Sequence, residues 1–286
     1  MTGSHIPVPL ISLLSAKFLG PALAAACCAT VLPQHAAYAA AVPRTLPAPP
    51  TLLSAPWPSS PESAEVFAGM PQFGELVWQN PDGTPGAKLC MAAAVHSVGG
   101  DLIATAAHCL GGVKSRIGGS MAVAYIPGAD NGSRPYGVWY PTRIIRPQQW
   151  MNGVRNPDFD LAFLTVDRPG DDRPLESVTG AEQFGSVPAP GTLGVQIGYP
   201  YASPHPVACR TAIRFLSPTQ LELDCAGFTG GTSGGPIMTD VNPANGIGTL
   251  VGFIGGHQNG GTRPEVSYAS AFTPAIRQLY QQASQY

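Results

Sequence analysis

Short apolar segments separated by turn residues recur along the chain from about residue 68 onward. They have the length of β-strands, and residues 80–83 (NPDG) form a typical turn sequence between two of them. The pattern predicts strands at residues 73–79, 90–96, 102–105, 121–126, 138–145 and 161–166, and later at 195–198, 207–215, 219–225, 237–239 and 249–255. The second and third strands form a predicted hairpin that leads to His108. The sequence therefore predicts an all-β protein.

Two segments depart from this strand pattern. Residues 167–184 are charged and rich in turn residues, which predicts a connection between two groups of strands. Thr273 followed by Pro274 is a typical helix start, because a threonine hydroxyl caps free N–H groups and proline fits the first helical position. A C-terminal helix is therefore predicted at residues 275–283.

The N-terminal part of the chain has a different character. Residues 18–32 are apolar and rich in alanine, and Ala37-Tyr38-Ala39 provides a small-residue cleavage site, so residues 1–39 are predicted to be a secretory signal peptide. The alternative is an uncleaved membrane anchor, but about 15 apolar residues containing Pro21 are short for spanning a bilayer. Residues 40–67 are crowded with Pro, Ser and Ala, and are predicted to be a linker or a short propeptide.

The composition agrees with a loop-rich β protein. Of the 286 residues, 44% are apolar and 11% are charged, with 34 glycines and 31 prolines. The apolar content argues against disorder in the body of the chain. The formal net charge of −2 gives no electrostatic reason to expect binding to nucleic acid or to an anionic membrane surface.

Three motifs together carry the parts needed for acyl transfer. Ser233 lies in the segment GGTSGGP (230–236), His108 lies in TAAHC (105–109), and Asp160 directly precedes an apolar run. A serine hydroxyl needs a base to take its proton, and an imidazole held by a buried carboxylate suits that task near pH 7. The backbone N–H groups of Gly231 and Ser233 are the expected donors to the oxyanion.

The sequence allows two other assignments of these catalytic groups. Asp158 competes with Asp160 as the acid, but the acid should stand directly before the apolar run that buries its strand, which favours Asp160. An α/β-hydrolase reading would need an acid and a histidine after Ser233, namely Asp240 and His257. The chain after Ser233 is too short for the remaining strands and helices of that fold.

The TAAHC and GGTSGGP motifs resemble the histidine and serine motifs of the chymotrypsin-like serine proteases, over roughly residues 68–286. The resemblance implies two antiparallel six-stranded β-barrels, at residues 68–168 and 169–286, with the active site in the cleft between them. It also implies a monomeric serine endopeptidase that acts on protein or peptide substrates without a cofactor or metal. The run VQIGYP (195–200) is similar to the secreted bacterial branch, which includes the glutamyl endopeptidases.

The sequence departs from the animal digestive enzymes around the substrate pocket. No Ile-Val-Gly-Gly start is present, and Thr232 stands before the nucleophile, so activation by an inserted ammonium group is not expected. Gly227 stands where a trypsin-like specificity carboxylate would lie, which argues against cleavage after Arg or Lys. Thr232, Gly255, Gly256 and His257 are the predicted substrate-binding residues. They leave an acidic preference and a small or apolar preference both open.

Four cysteines remain after removal of the signal peptide, and they permit three pairings. Cys90 and Cys109 flank the hairpin before His108, and Cys209 and Cys225 flank a later one. In an exported chain these are expected to be two local disulfides. The first would brace His108, as the histidine-loop disulfide of the family does.

Two rival functions remain open from the sequence. One is a catalytically silent protease-like domain that binds a partner at the cell surface, and the other is an esterase that uses the same triad. The intact set of His108, Asp160 and Ser233 argues against the first. A pocket strand long enough to pair with a peptide argues against the second.

Overall fold

The computed structural model describes residues 63–113 and 122–286. The predicted signal peptide and most of the predicted linker lie outside the described residues. The first group of strands comprises β2 (Phe73–Gln79), β3 (Pro85–Ala94), β4 (Leu102–Thr105), β5 (Val123–Pro127), β6 (Tyr140–Ile145) and β7 (Ala162–Asp167). A short helix, α1 (Gln148–Met151), lies between β6 and β7.

These six strands form one antiparallel sheet in the order β5-β2-β3-β4-β7-β6. A backbone bridge between Tyr125 in β5 and Trp139, just before β6, joins the two edges and closes the sheet into a barrel. Leu76, Ile103 and Leu164 are fully buried inside the molecule. Apolar side chains at alternate strand positions thus produce the closed interior, because successive residues of a strand point to opposite faces.

The second group of strands is built differently. It comprises β1 (Glu65–Val66), β8 (Gln183–Phe184), β9 (Leu193–Gly198), β10 (Val207–Ala212), β11 (Arg214–Ser217), β12 (Gln220–Asp224), β13 (Pro236–Thr239), β14 (Thr249–Phe253) and β15 (Val266–Ser270). Six of them form a sheet in the order β1-β10-β9-β13-β14-β8, and the other three form the sheet β11-β12-β15. A bridge between Ile254 and Ala269 links the two sheets.

The predicted all-β fold with a C-terminal helix is confirmed, with differences in detail. The predicted strand at 207–215 is two strands, β10 and β11, separated at the fully buried Ile213. β15 was not predicted, because Ser267 and Ser270 occupy buried positions where an apolar residue is expected. The second half therefore contains nine strands in two sheets, where six were expected.

A short helix, α2 (Leu175–Thr179), lies in the connection between the two groups of strands. The C-terminal helix α3 (Pro274–Ala283) returns to the first barrel. Its Tyr280 hydroxyl donates to the carbonyl of His96 at 2.8 Å, and the Tyr280 ring stacks on Phe184 with centroids 4.1 Å apart. Pro274 opens the helix as predicted, but the Thr273 hydroxyl makes no capping hydrogen bond. No helix of the described residues is long and apolar enough to cross a membrane.

The last residues of the predicted linker belong to the second sheet. β1 pairs with β10, and the Ala64 N–H donates to the carbonyl of Ala226 at 2.8 Å. The Phe67 N–H likewise donates to the carbonyl of Pro206 at 3.2 Å. Backbone hydrogen bonds, which need no particular side chain, thus hold a segment whose composition gives no strand signal.

Candidate active site

His108 lies on a short 3-10 turn (Ala107–Leu110) that follows the end of β4. The disulfide between Cys90 and Cys109 ties this turn to β3, so that the predicted first pairing is confirmed. The second predicted disulfide, between Cys209 and Cys225, is confirmed as well. The side chain of His108 keeps 17% of its surface exposed, which leaves its ring accessible from the cleft.

Asp160 accepts hydrogen bonds from both the ring and the backbone of His108. Its Oδ2 lies 2.7 Å from His108 Nδ1, and its Oδ1 accepts the backbone N–H of His108 at 2.8 Å. A third N–H, from Gly256, donates to Oδ2 at 2.8 Å. The carboxylate is fully buried, and hydrogen bonds from N–H groups offset the cost of keeping a charge there. This arrangement fixes the ring orientation and leaves Nε2 as the nitrogen that can accept a proton.

Asp158, the competing acid, faces a different set of residues. Its Oδ1 accepts from the Thr219 hydroxyl and from Gln220 Nε2, both at 2.8 Å. These partners belong to the second group of strands, so Asp158 links the two halves of the molecule. The geometry therefore supports Asp160 as the partner of His108.

Ser233 lies on the turn between β12 and β13, half-buried at the junction of the two halves. Its carbonyl accepts the N–H of Met91 from β3 at 2.9 Å. The following residue, Gly234, has φ +76° and lies so close to the carbonyl of Met91 and the hydroxyl of Thr105 that a β-carbon has no room. Only glycine permits this approach, which brings the serine turn against the strand that leads to His108.

No hydrogen bond joins Ser233 to His108 within the described residues. Nε2 of His108 lies 3.7 Å from Cys109 Sγ, whose sulfur is already in a disulfide and is only a weak acceptor. Such nucleophile–base hydrogen bonds are often long before substrate binds and tighten in the enzyme–substrate complex. Both turns are anchored to β3, the serine turn through the N–H of Met91 and the histidine turn through the Cys90–Cys109 disulfide.

The predicted oxyanion donors are free to act. Among the described residues, the N–H groups of Gly231 and Ser233 donate no hydrogen bond, whereas those of Thr232, Gly234 and Gly235 each donate to a carbonyl. Unused donors beside the nucleophile are what a developing oxyanion requires. Thr232 is buried, and its hydroxyl donates to the carbonyl of Thr229 at 2.8 Å, so that this group stabilises the turn.

The other predicted substrate-binding residues take different places. Gly255 lies against the carboxylate of Asp160, and Gly256 donates its N–H to that carboxylate. His257 packs edge-on against Tyr268 with centroids 4.8 Å apart, and its N–H donates to Gln220 Oε1. Its side chain does not line the cavity next to Ser233.

That cavity has a volume of about 270 Å³ and carries one cationic side chain. Apolar walls come from Phe228, Ile254 and Pro264, and hydroxyl and amide groups come from Thr229, Thr262 and Asn259. Arg263 also lines it, and no carboxylate does. Sequence reasoning missed Arg263, because the segment that brings it there has a left-handed backbone at Gly256, Gln258, Asn259, Gly260 and Gly261 and follows no strand or helix period.

Cys90, His108 and Cys109 form a cluster whose ligand-type atoms lie within 4.8 Å of one another. Both cysteine sulfurs are joined in the disulfide, so neither can supply the thiolate that a metal ion requires. His108 is held by Asp160 for proton transfer instead. The three residues therefore lie close together because the Cys90–Cys109 disulfide joins the histidine turn to β3.

A family model described as a trypsin-like peptidase domain matches residues 92–247, more than half of the chain. This stretch contains His108, Asp160 and Ser233 together with the loops that connect them. A search of curated proteins found no match.

Among solved structures, the chain is similar to the protease Anisep from Arthrobacter nicotinovorans, with 21% identity over 77% of this chain and 99% of that one and a TM-score of 0.63. It is also similar to a thermostable serine protease, AL20, from an extremophilic microorganism (24% identity, 75% and 97% covered, TM-score 0.60). A third similar structure is that of a Glu endopeptidase (14% identity, 78% and 97% covered, TM-score 0.58). At these identities the likenesses show the fold.

Proposed function

Because the chain belongs to the trypsin-like peptidases and is a serine endopeptidase, we propose that His108, Asp160 and Ser233 form its catalytic triad. The observation that carries the proposal is the buried Asp160 carboxylate, which binds both the ring and the backbone of His108 beside the serine turn. This carboxylate orients an accessible imidazole, which is what a histidine acting as a general base requires.

The geometry supports a two-step acyl transfer. His108 Nε2 takes the proton of the Ser233 hydroxyl as the oxygen attacks the substrate carbonyl, while Asp160 stabilises the imidazolium that forms. The free N–H groups of Gly231 and Ser233 stabilise the oxyanion. His108 then gives the proton to the leaving amine, and water repeats the sequence to release the acyl group.

The site of action is proposed to be outside the cell. Two disulfides join the four cysteines that follow the predicted signal peptide, and such bonds persist in oxidising compartments. The signal-like sequence at residues 1–39 supports the same conclusion. The substrate is a protein or peptide, and we propose that a monomer is the active form.

We further propose that the residue before the cleaved bond is acidic rather than basic. Arg263 lines the cavity next to Ser233, and no ion pair occupies its guanidinium within the described residues. A guanidinium favours a carboxylate and repels a second cation, so Arg263 takes the place that His257 was expected to fill. A small polar residue would bind through Thr229, Thr262 and Asn259 without using this charge.

Labelling with a fluorophosphonate probe tests the function most directly, because only an activated serine reacts. Wild-type protein should be labelled and should hydrolyse peptides, whereas Ser233→Ala should be unlabelled and inactive while remaining folded. Labelling without peptide hydrolysis would favour the esterase alternative. Wild-type protein that is folded but unlabelled would favour a silent binding domain.

A fluorogenic peptide library that varies the residue before the cut tests the preference. Glu or Asp should be favoured over Arg or Lys, and Arg263→Gln should weaken that preference by about tenfold. His257→Gln is the matched control and should leave it unchanged. A dominant Arg or Lys preference would contradict the role given to Arg263.

A further inference from the structure

A second cavity, of about 320 Å³, lies beside the turn that carries His108. Its lining shares no residue with the cavity next to Ser233 and consists of Gly111, Arg146, Trp150, Met151, Gly153 and Arg155. Gly111 follows the histidine turn directly, and its N–H donates to the carbonyl of His108 at 3.2 Å. The cavity therefore adjoins the end of the turn that carries His108.

Arg146 is a partly buried cation in this cavity without a carboxylate partner. Its Nη2 donates to the carbonyl of Leu110 at 2.6 Å and reaches that of Val113 at 3.4 Å, while its buried Nε has no partner within the described residues. Partial burial lowers the pKa of this guanidinium, which reflects the cost of removing it from water. The two carbonyl groups accept hydrogen bonds from part of the guanidinium, but they do not neutralise its positive charge.

Arg155 brings a second uncompensated guanidinium to the same cavity. It is exposed, forms no ion pair within the described residues, and its Nη2 lies 3.8 Å from where a β-carbon on Gly111 would be. No Asp or Glu lines the cavity. The neighbouring acids are already used, because Asp158 binds Thr219 and Asp160 binds His108.

Residues 114–121, which follow Val113, contain no Asp or Glu. The whole chain carries a net charge of −2, so two unpaired arginines in one cavity do not follow from an overall excess of basic residues. A concentration of positive charge of this kind fits a ligand that carries carboxylates.

We propose that this cavity binds an acidic segment of the polypeptide substrate, with Arg155 and Arg146 as its recognition residues. The proposal rests on the proposed function: it takes the substrate chain to run past His108, and the cavity adjoins the His108 turn through Gly111. Guanidinium groups bind carboxylates through paired, charge-assisted hydrogen bonds. The buried ring of Trp150 and the half-exposed side chain of Met151 offer apolar contacts to the methylene groups of Glu.

Matched peptides test this proposal. Every peptide carries Glu directly before the cleaved bond, so that the Arg263 cavity is occupied alike in all of them. Beyond that residue, one peptide core carries either three Glu or three Gln residues, placed upstream of the cut in one pair and downstream of it in another. The pair whose acidic residues reach the cavity should respond, and the other pair should not. In the responding pair at low salt, we expect the kcat/KM of the Glu peptide to be about five- to tenfold higher than that of the Gln peptide. This difference should shrink at high salt. Arg155→Gln should abolish the difference, and Arg155→Lys should keep part of it. Arg134→Gln, at an exposed arginine outside both cavities, is the control and should keep it in full.

Each variant is first titrated with the fluorophosphonate probe, which separates the two proposals. A wild-type protein that is not labelled overturns the proposed function and with it this inference. Normal labelling with no preference for Glu over Gln, or a preference that persists in Arg155→Gln, overturns the acidic-segment site alone. Thermal stabilisation by inorganic phosphate that requires Arg155, without any preference among the peptides, would show a small-anion site and would also overturn it.

Discussion

The two halves of the molecule hold the proposed catalytic groups in different ways. The first barrel is a single closed sheet, and it places His108 and Asp160 directly after β4 and before β7, at strand ends one sheet position apart. The second half is assembled from nine strands in two sheets, and it places Ser233 on a long turn. The base and the acid are therefore fixed by regular structure, whereas the nucleophile and pocket are fixed by contacts that are distant in sequence.

This difference assigns separate tasks to the two halves. A proton relay depends on hydrogen-bond geometry, and adjacent strands of one sheet provide that geometry. A specificity pocket depends on which side chains its loops present, and loops on a rigid scaffold can vary without loss of the fold. Damage around the histidine turn of the first half should therefore act mainly on kcat, and damage to the pocket walls of the second half, away from Ser233, mainly on KM.

The largest effect should come from the acid of the first barrel. Asp160→Asn keeps the shape but presents an amide to His108 Nδ1, which disfavours the tautomer that accepts the serine proton. We expect kcat to fall by about 10³- to 10⁴-fold. Asp158→Asn is the matched control, because its Oδ1 can keep the hydrogen bonds from Thr219 and Gln220, and its effect should be mild. Steady-state kinetics with a peptide substrate measures both, and the reverse order of effects would move the triad acid to Asp158.

Removal of the two disulfides compares the halves directly. Each closes a loop of 19 or 16 residues, so each double Cys→Ala variant should lose about 3 kcal/mol of unfolding free energy. Loss of Cys90–Cys109 loosens the histidine turn and should lower kcat. Loss of Cys209–Cys225 disturbs the buried cluster that contains Phe228 and Ile254, two walls of the cavity next to Ser233, and should raise KM. Equal effects of both variants on one parameter would refute the division of tasks.

The seam between the halves contains a buried acid that should make stability depend on pH. Glu182 is fully buried, its Oε2 accepts the N–H of Gly248 at 2.5 Å, and its Oε1 has no partner within the described residues. Burial raises the pKa of this carboxyl from 4.5 to about 8. Between these values the unfolded chain has released the proton and the folded chain has kept it. The unfolding free energy therefore falls as the pH rises from about 4.5 to about 8.

Glu182→Gln should remove this dependence, because the amide has no proton to lose. The measurement is made in a Ser233→Ala background, which prevents autolysis. We expect the total fall in unfolding free energy between these two pH values to be smaller in Glu182→Gln by an amount on the order of a few kcal/mol. Asp172→Asn changes an exposed acid and serves as the control. An unchanged slope in Glu182→Gln would mean that Glu182 is ionised in the folded protein.

The same division separates what the sequence predicts from what it does not. β2 and β4 were predicted with the observed bounds, because their apolar residues alternate or run continuously between clear turn residues. Asp160 was chosen over Asp158 from its place before an apolar run, and it is the acid that binds His108. Local patterns sufficed here because β2–β3, β3–β4 and β6–β7 are neighbours both in sequence and in the sheet.

The second half depends on features that have no local pattern. β15 pairs with β12 through buried serines, and Arg263 reaches the cavity through a left-handed segment. Glu65 and Val66 pair with β10, more than a hundred positions later in the chain. Such pairings are set by backbone hydrogen bonds between distant segments, which a single sequence does not reveal.

The smallest predicted effect concerns this N-terminal segment. Ala64 donates its N–H to the carbonyl of Ala226, and its β-carbon lies against Gly227, directly beside Phe228 of the cavity wall. Proteins that start anywhere from residue 40 to residue 62 should therefore be equally active, whereas a protein that starts at residue 68 should show a KM raised about threefold, with kcat nearly unchanged. Ala64→Pro removes the N–H donor and should reproduce part of this change, while Val66→Ala, at an exposed side chain, should not. Peptide kinetics normalised by active-site titration gives the result. An increase in activity on truncation to residue 68 would instead identify residues 63–67 as the end of an inhibitory propeptide.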